Sequence, residues 1–262
     1  MAEPIFSLTG VSYSYPGKIP GLCNLDLSIN ASDRVAIIGA NGTGKSTLLT
    51  MLDALIFPDT GTVSFSGQAL TRHAMDDALT QRTFRAKVGF VFQNPDIQLF
   101  CPTVKEDIVF GPLQLGLPHE EILRRLDSVV ERMRLSHLLE RSPHQLSIGE
   151  KKKAAIASVL VIEPDVLLFD EPTAGLDPQT TRDIIAVIVD AHKTGKTVVM
   201  ATHDLHLVEE IADVVHVFGD NRSIIRSGTP EEILSDHEFL KQHNLVHVHV
   251  HRHLHTIHAH PH

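Results

Sequence analysis

Residues 39 to 46 are Gly39-Ala40-Asn41-Gly42-Thr43-Gly44-Lys45-Ser46, a glycine-rich loop that follows the apolar run 35–38. This spacing is the P-loop pattern, and its flanks predict a strand before the loop and a helix from Lys45 to about Leu55. The glycines let backbone N–H groups close around phosphate oxygens, and the start of the helix favours an anion. We therefore predict a nucleotide site in which Lys45 reaches the β and γ phosphates and Ser46 ligates Mg²⁺. An accidental glycine-rich turn is the alternative.

Two adjacent carboxylates end a second apolar run. Asp170 and Glu171 follow residues 166–169, which have the pattern of a buried strand. Ligand sites of parallel sheets lie at the carboxyl ends of the strands. We predict that Asp170 holds the Mg²⁺ shell and that Glu171 orients or deprotonates the attacking water. The alternative for such a pair is the N-cap region of a helix.

The order of strand and helix patterns predicts an α/β fold, a P-loop NTPase core with a mainly parallel sheet. Short apolar stretches at 6–11 and 25–29 predict an antiparallel β subdomain, and further strands are expected at 61–65, 88–92, 166–169, 197–201 and 214–218. The apolar spacing from His119 to Leu139 predicts amphipathic helix. We expect one domain over 1–242, with a helical subdomain inserted at about 95–160, and a flexible His-rich tail over 243–262.

Composition limits the classes of function. The chain has 262 residues, is 42% hydrophobic and carries a formal net charge of −9. A general nucleic-acid-binding surface needs clustered Lys and Arg, so this charge argues against one. The run Lys151-Lys152-Lys153 is interpreted as the solvated first turn of a helix rather than a polyanion site. Two distant cysteines, the acidic amino end and the lack of an apolar run of about 20 residues predict a reduced, cytosolic chain without a membrane span.

A further motif resembles a known family. Leu146-Ser147-Ile148-Gly149-Glu150 precedes the acidic pair and is similar to the signature sequence of ATP-binding-cassette proteins. The resemblance covers about Pro4 to Leu234. It implies an adenine-stacking Tyr15, for which Tyr13 is the alternative, a Q-loop Gln93 that serves both Mg²⁺ and catalysis, and a switch His203. It also implies a D-loop, Ala174-Gly175-Leu176-Asp177. The nucleotide contacts implied by loop and family together are Tyr15, Gly39, Asn41, Gly42, Gly44, Lys45, Ser46, Thr47, Ser147, Gly149 and Asp177.

The signature motif implies a second subunit. Ser147 and the backbone N–H groups at the start of a helix can bind phosphate, yet the same chain already surrounds that phosphate with its P-loop. In the family the nucleotide lies between one subunit's P-loop and the other's signature, so we expect a dimer, with homodimerisation favoured. Two departures from the family pattern, Ile148 for a glycine and Glu150 for a glutamine, put the geometry of this loop in question.

The segment after the Q-loop glutamine narrows the class of transporter. Gln93-Asn94-Pro95-Asp96-Ile97-Gln98-Leu99-Phe100 resembles the Q-helix of energy-coupling-factor importers, whose ATPases energise uptake of vitamins and transition-metal ions. That resemblance implies an integral scaffold protein, a separate substrate-binding membrane protein and a position at the cytoplasmic face of the membrane. An ordinary Q-loop of another importer is the alternative.

The tail suggests a cargo. Neutral imidazoles bind borderline metals such as Ni²⁺ and Co²⁺, and the tail alternates histidine with other residues. The candidate ligands are His247, His249, His251, His253 and His255. The whole pattern resembles the ATPase of a cobalt or nickel importer. The alternatives are a vitamin importer, a soluble cassette protein of translation or DNA repair, and a non-catalytic regulator, against which Glu171 and His203 argue.

Overall fold

The computed structural model describes residues 3–246, 248–253 and 256–261. The strands are β1 (Phe6–Tyr15), β2 (Ile19–Ile29), β3 (Arg34–Gly39), β4 (Thr60–Phe65), β5 (Gln68–Ala69), β6 (Val88–Val91), β7 (Val166–Asp170), β8 (Thr197–Ala201), β9 (Val214–Phe218), β10 (Ile224–Gly228), β11 (Val248–His253) and β12 (Thr256–Pro261). The helices are α1 (Lys45–Leu52), α2 (Arg72–Met75), α3 (Ala78–Lys87), α4 (Val104–Gln114), α5 (His119–Met133), α6 (Ile148–Leu160), α7 (Pro178–Lys193), α8 (Leu205–Ile211), α9 (Pro230–Leu234) and α10 (His237–Gln242).

The central sheet has the order β10-β9-β3-β8-β7-β6 and is parallel except for β10, which pairs antiparallel with β9. Successive side chains of a strand point to opposite faces, so a strand covered on both faces is apolar throughout. In β8, Val198 and Met200 pack in one hydrophobic cluster, and Val199 and Ala201 pack in another. The central sheet therefore lies between two apolar layers.

The antiparallel subdomain is the sheet β2-β1-β4-β5. Its core residues, among them Phe6 and Leu25, pack in the same cluster as Leu48 and Leu49 of α1. The strands predicted at 6–11 and 25–29 are present, and both extend toward each other to the hairpin between Tyr15 and Ile19. The hairpin lies beside the P-loop: Gly44 of the loop is in close contact with the backbone of Gly21, near the start of β2.

The helical subdomain is built from α4, α5 and α6. The apolar stripe of α5 is buried at Ile122, Leu126, Val129, Val130 and Met133. Leu123 also belongs to the predicted spacing but is exposed. The predicted extent of this helix to Leu139 is wrong. Arg134 adopts a left-handed conformation, with φ of 56°, and its N–H and that of Leu135 bond carbonyls of the last turn, which ends the helix. A separate 3₁₀ turn follows at Ser136–Leu138.

The tail carries a hairpin of its own. Strands β11 and β12 pair antiparallel, with Val248 opposite Pro261. The candidate ligands His247 and His255 lie outside the described residues. The expected flexibility of this tail stays a prediction. In the part of the chain that the structure describes, every helix is too short or too polar to cross a bilayer.

Candidate active site

A cleft beside the P-loop collects most of the predicted nucleotide residues. Its lining is Tyr15, Ile19, Asn41, Gly42, Gly44, Lys45, Ser46, Thr47, Gln93, Asp170, Glu171 and Arg222. Strands β3, β8, β7 and β6 are adjacent and parallel, so the segments that follow them meet at one edge of the sheet. The P-loop follows β3, His203 follows β8, Glu171 follows β7 and Gln93 follows β6.

The P-loop backbone requires glycine at position 44. Gly44 has φ of 110°, and a Cβ there would lie 2.5 Å from the Gly21 carbonyl oxygen. Lys45 begins α1, and its Nζ donates hydrogen bonds to the carbonyls of Gly39 at 2.7 Å and Ala40 at 3.0 Å. Burial lowers the pKa of this ammonium. Lys45 is thus held across the mouth of the loop, where it can meet phosphate oxygens.

At the hairpin tip, Tyr15 faces the cleft. Its hydroxyl lies 2.9 Å from Thr47 Oγ1, and its ring is packed edge-on against Tyr13. Tyr13 does not line the cleft. Tyr15 is 40% exposed, so a face of the ring is available to stack on a base.

Asp170 and Ser46 offer oxygen ligands for a cation. Asp170 is 6% exposed, and its Oδ1 is buried without a hydrogen-bond partner among the described residues. Burial raises the pKa of Asp170, while a hydrogen bond with Ser46 opposes that rise. Carboxylate and hydroxyl oxygens are ligands that Mg²⁺ accepts beside phosphate and water. An orphaned buried carboxylate oxygen next to a hydroxyl therefore fits the predicted Mg²⁺ site.

Hydrogen bonds hold both the backbone and the carboxylate of Glu171. Its N–H donates to the Ala201 carbonyl at 2.9 Å, and its backbone adopts a left-handed conformation with φ of 46°. Its Oε1 lies 2.8 Å from His203 Nδ1, and Thr202 Oγ1 donates to Oε2 at 3.4 Å. The carboxylate is therefore aimed by residues that follow the neighbouring strand. A carboxylate in this position can accept a proton from water.

Four predicted nucleotide residues are not among those that line the cleft: Gly39 of the P-loop, Ser147, Gly149 and Asp177. Ser147 is the N-cap of α6. Gly149 packs against Thr180 of α7, where a Cβ added to Gly149 would lie 3.2 Å from Thr180 Oγ1. Asp177 is the N-cap of α7 and accepts from the N–H groups of Gln179 and Thr180. The signature and D-loop residues thus share one surface, where Ile148 is 59% exposed. Their predicted contact with nucleotide stays a prediction.

Glu150, one of the two departures in the signature, stabilises the start of α6. Glu150 accepts hydrogen bonds from the N–H and the hydroxyl of Ser147, both at 2.8 Å, and these bonds lower the pKa of Glu150. Together with the bond from Glu150 N–H to Ser147 Oγ, they form a capping box. Ile148 is the first helical residue and points to solvent. The helix therefore begins in regular geometry at Ser147.

The interpretation of Lys151-Lys152-Lys153 as a solvated turn is wrong for the middle residue. Lys152 is 1% exposed, and burial lowers its pKa to about 8. Its neighbours form ion pairs at the surface, Lys151 with Asp96 at 2.7 Å and Lys153 with Asp183 at 2.6 Å. Consecutive helix positions face directions about 100° apart, so a run of like residues does not share one environment.

Arg222 is a cleft residue that sequence reasoning missed. It lies in the turn between β9 and β10 with φ of 60°, and its guanidinium donates to the Pro20 carbonyl beside Ile19. Ile19 is paired with Tyr15 across the hairpin. The cation therefore lies at the end of the cleft that Tyr15 occupies. No motif marks this turn.

Comparison with known proteins agrees with this geometry. The family model described as ABC transporter matches residues 22–174. The chain belongs to the ABC transporter family. It is 46% identical over 246 residues to the nickel import ATP-binding protein NikO of Rhodobacter capsulatus, covering 93% of this chain and 96% of the relative. ABC transporter ATPases hydrolyse ATP in coupling to transport, and this chain is such an ATPase.

Two further similarities concern energy-coupling factors. The chain is 40% identical over 241 residues to the energy-coupling factor transporter ATP-binding protein EcfA of Methanothermobacter thermautotrophicus, covering 92% of this chain and 76% of the relative. The solved structure of cbiO1 from Clostridium perfringens, described as part of the ABC transporter complex cbiONQ, superimposes with a TM-score of 0.77. That pair is 35% identical and covers 93% of this chain and 96% of the other. The predicted family and fold class are confirmed.

Proposed function

We propose that this ABC transporter ATPase energises import of a transition-metal ion, cobalt or nickel, through a separate membrane complex at whose cytoplasmic face it lies. The observation that carries the proposal is the 46% identity to a nickel import ATPase over 96% of that protein. The similarity to cbiO1 of a cbiONQ complex and the histidine-rich tail point the same way.

In this proposal the residues of the cleft have separate roles in ATP binding and hydrolysis. Lys45 and the P-loop N–H groups bind the β and γ phosphates, while Ser46, Asp170 and Gln93 hold Mg²⁺. Bound Mg²⁺ neutralises charge on phosphate oxygens. Glu171 orients and deprotonates the attacking water, and His203 holds the Glu171 carboxylate in place. Tyr15 stacks on the adenine ring.

A second copy of the chain completes the site. Ser147 and Gly149 do not line the cleft of their own chain, and they lie on an exposed surface with Ile148. The N-terminus of α6 is an anion site by its unpaired N–H groups and dipole. Docked against the γ phosphate held by a partner's P-loop, it supplies the missing donors, with Asp177 beside it. Two such sites form in a symmetric dimer.

An apolar groove between the central sheet and the helical subdomain fits a membrane partner. Phe92, Phe100 and Phe110 line it, and the rings of Phe100 and Phe110 meet edge to face at 5.0 Å. Phe100 is 65% exposed and Phe110 is 39% exposed, which is costly for side chains that face only water. The proposed occupant is a cytoplasmic helix of the integral scaffold protein, and a distinct membrane protein binds the cargo.

The tail is a proposed metal-binding element. In the hairpin, His249 lies opposite His260 and His251 opposite His258, while His253 continues the alternation on β11. The register thus places histidine positions of the two strands next to each other, and neutral imidazoles bind Ni²⁺ and Co²⁺. His247 and His255 flank β11 in the sequence. Among the side chains that the structure describes, no group of three or more metal-ligating residues is present.

A vitamin importer is the second candidate. The similarity to EcfA favours it, because that relative is named for an energy-coupling factor without a metal. The two candidates share the ATPase chemistry and differ only in the cargo that the membrane partners bind.

Transport by the native complex tests the proposal. The complex is purified from its own membranes through an amino-terminal tag on this chain and reconstituted with ATP on the side of the ATPase. Accumulation of ⁶³Ni²⁺ or ⁵⁷Co²⁺ that requires ATP is expected, and biotin and riboflavin should not accumulate. Vitamin uptake without metal uptake would overturn the metal assignment and support the second candidate. Copurified ions are identified by mass spectrometry.

Removal of the tail tests its separate role. Without residues 243–262 we expect loss of Ni²⁺ binding in calorimetry, with ATP hydrolysis nearly unchanged, because the cleft residues all precede the tail. Binding by the whole chain should weaken as pH falls through about 6.5, since protons compete for imidazole nitrogens. A second variant keeps the length of the tail and replaces His247, His249, His251, His253 and His255 by Asn; it should also lose Ni²⁺ binding. Unchanged Ni²⁺ binding in both variants would show that these imidazoles are not ligands.

A further inference from the structure

Lys152 is a buried cation that the chemistry of the cleft does not use. It lies in α6, five residues after the N-cap Ser147, and is 1% exposed. Its Nζ contacts three main-chain carbonyls: those of Gln93 at 2.7 Å, Phe92 at 3.2 Å and Glu171 at 3.4 Å. A lysine ammonium has three N–H donors and no acceptor, so the donors match the carbonyls in number.

These carbonyls belong to the segments that follow two adjacent strands. Phe92 and Gln93 come after β6, and Glu171 comes after β7, which pairs with β6. Beyond the strand ends no ladder bonds fix the two segments relative to each other. Lys152 bridges them. Because burial of an ammonium is unfavourable before compensation, an apolar residue of similar volume would fill this space at lower cost.

The same helix holds the Gln93 segment at two other points. Lys151 pairs with Asp96 at 2.7 Å, and Gln98 Nε2 donates to the Ala155 carbonyl of α6 at 2.7 Å. Lys152 therefore adds the one contact in the described residues that joins α6 both to this segment and to Glu171. Glu171 has a left-handed backbone, a conformation that is strained for a non-glycine residue and needs support from its surroundings.

We propose that Lys152 is a positioning residue: it fixes the backbone of Gln93 and Glu171 relative to the signature helix, so that the Glu171 carboxylate is aligned when α6 is docked. This inference rests on the proposed role of Glu171 in orienting water. Lys152 does not line the nucleotide cleft. Its removal therefore affects the turnover rate and leaves ATP affinity nearly unchanged.

The test uses the complex purified from membranes and compares three variants. Lys152→Met keeps the volume and removes all three donors, whereas Lys152→Gln retains two amide donors. Lys153→Met is the matched control, because its ion pair with Asp183 lies toward α7 and away from the Gln93 segment. Misplacement of a catalytic group by about 1 Å costs about 100-fold in rate.

We expect kcat to fall about 100-fold in Lys152→Met, with the Kd for ATP within threefold of wild type. Lys152→Gln should recover part of that loss, and Lys153→Met should stay within twofold of wild type. Hydrogen exchange should rise in peptides covering 92–98 and 171–176 and stay unchanged in β3. A kcat within twofold of wild type in Lys152→Met, or a rise in exchange across β3 that parallels the lost activity, would overturn the proposal.

Glu171→Gln is measured in the same series. Wild-type hydrolysis by Glu171→Gln would refute the proposed role of Glu171. Loss of hydrolysis in Glu171→Gln with normal rates in Lys152→Met would refute only the positioning role of Lys152.

Discussion

His203 Nδ1 lies 2.8 Å from Glu171 Oε1, and the imidazole is 65% exposed while the carboxylate is 8% exposed. The two residues follow the neighbouring strands β8 and β7, so the sheet itself sets their separation. The Nδ1 edge of the ring therefore holds the buried carboxylate.

Loss of this contact should slow hydrolysis. In His203→Ala, the Glu171 carboxylate keeps only the 3.4 Å contact with Thr202, and we expect kcat to fall about 100-fold. The Kd for ATP should change little, because His203 does not line the cleft. His206→Ala, an exposed histidine of α8, is the control. Equal rates for His203→Ala and the control, measured by phosphate release, would remove His203 from the site.

The divided site is tested by two kinds of mixed dimer. When one subunit carries both Lys45→Ala and Ser147→Arg, each of the two shared sites receives one defect, so hydrolysis should be lost. When one subunit carries Lys45→Ala and the other Ser147→Arg, both defects fall in the same site and the second site remains intact. Tandem purification with two tags isolates each dimer. Equal activity in the two arrangements would contradict a site shared between subunits.

Arg222 should contribute to nucleotide affinity at the base end. Arg222→Gly removes the guanidinium, and glycine suits the left-handed backbone there, so folding should be retained. A cation stacked on an aromatic ring contributes about 1 kcal/mol, so we expect Arg222→Gly to raise the Kd for ATP about fivefold. Affinity for tripolyphosphate should stay within twofold. Equal weakening of ATP and tripolyphosphate would place the guanidinium at the phosphates instead.

His216 should make the fold sensitive to acid. Burial lowers the pKa of His216 to about 4, and its Nδ1 lies 2.7 Å from Ser227 Oγ. In the unfolded chain His216 is protonated near pH 6.5, whereas in the folded chain it stays neutral down to about pH 4. The free energy of unfolding therefore decreases as pH falls from about 6.5 toward 4. Between pH 7 and pH 5 this residue should cost about 2 kcal/mol.

Urea unfolding of the wild type and of His216→Asn at both pH values measures this cost. The asparagine keeps a hydrogen-bonding group near Ser227 but does not titrate. The difference between the two proteins removes the contribution of the other histidines. Parallel loss of stability in both would show that His216 is not responsible.

The sequence alone predicted the features for which residue chemistry and the spacing of apolar residues indicate the same structure. The glycine spacing before Lys45 and Ser46 predicts the P-loop, and a continuous apolar run predicts a buried strand. The strands predicted at Thr197–Ala201 and Val214–Phe218 are present with those bounds.

Other features depend on tertiary packing and left no local signal. Lys152 is buried because its side of α6 faces the ends of β6 and β7, and nothing in a run of three lysines distinguishes the middle one. The end of α5 at a left-handed Arg134 was missed because arginine does not favour that conformation. Arg222 lies near Tyr15 only because the β9–β10 turn contacts the β1–β2 hairpin in the folded chain.

The central claim is that Glu171 activates the water at a site that two copies of the chain share. It is tested most directly by Glu171→Gln in the reconstituted complex, with hydrolysis and the mass of the purified ATPase measured with ATP present. We expect Mg-ATP to bind with nearly unchanged Kd, turnover to fall by at least about 100-fold, and a stable dimer that retains ATP. Wild-type turnover by this variant, or a monomer with bound ATP, would contradict the account.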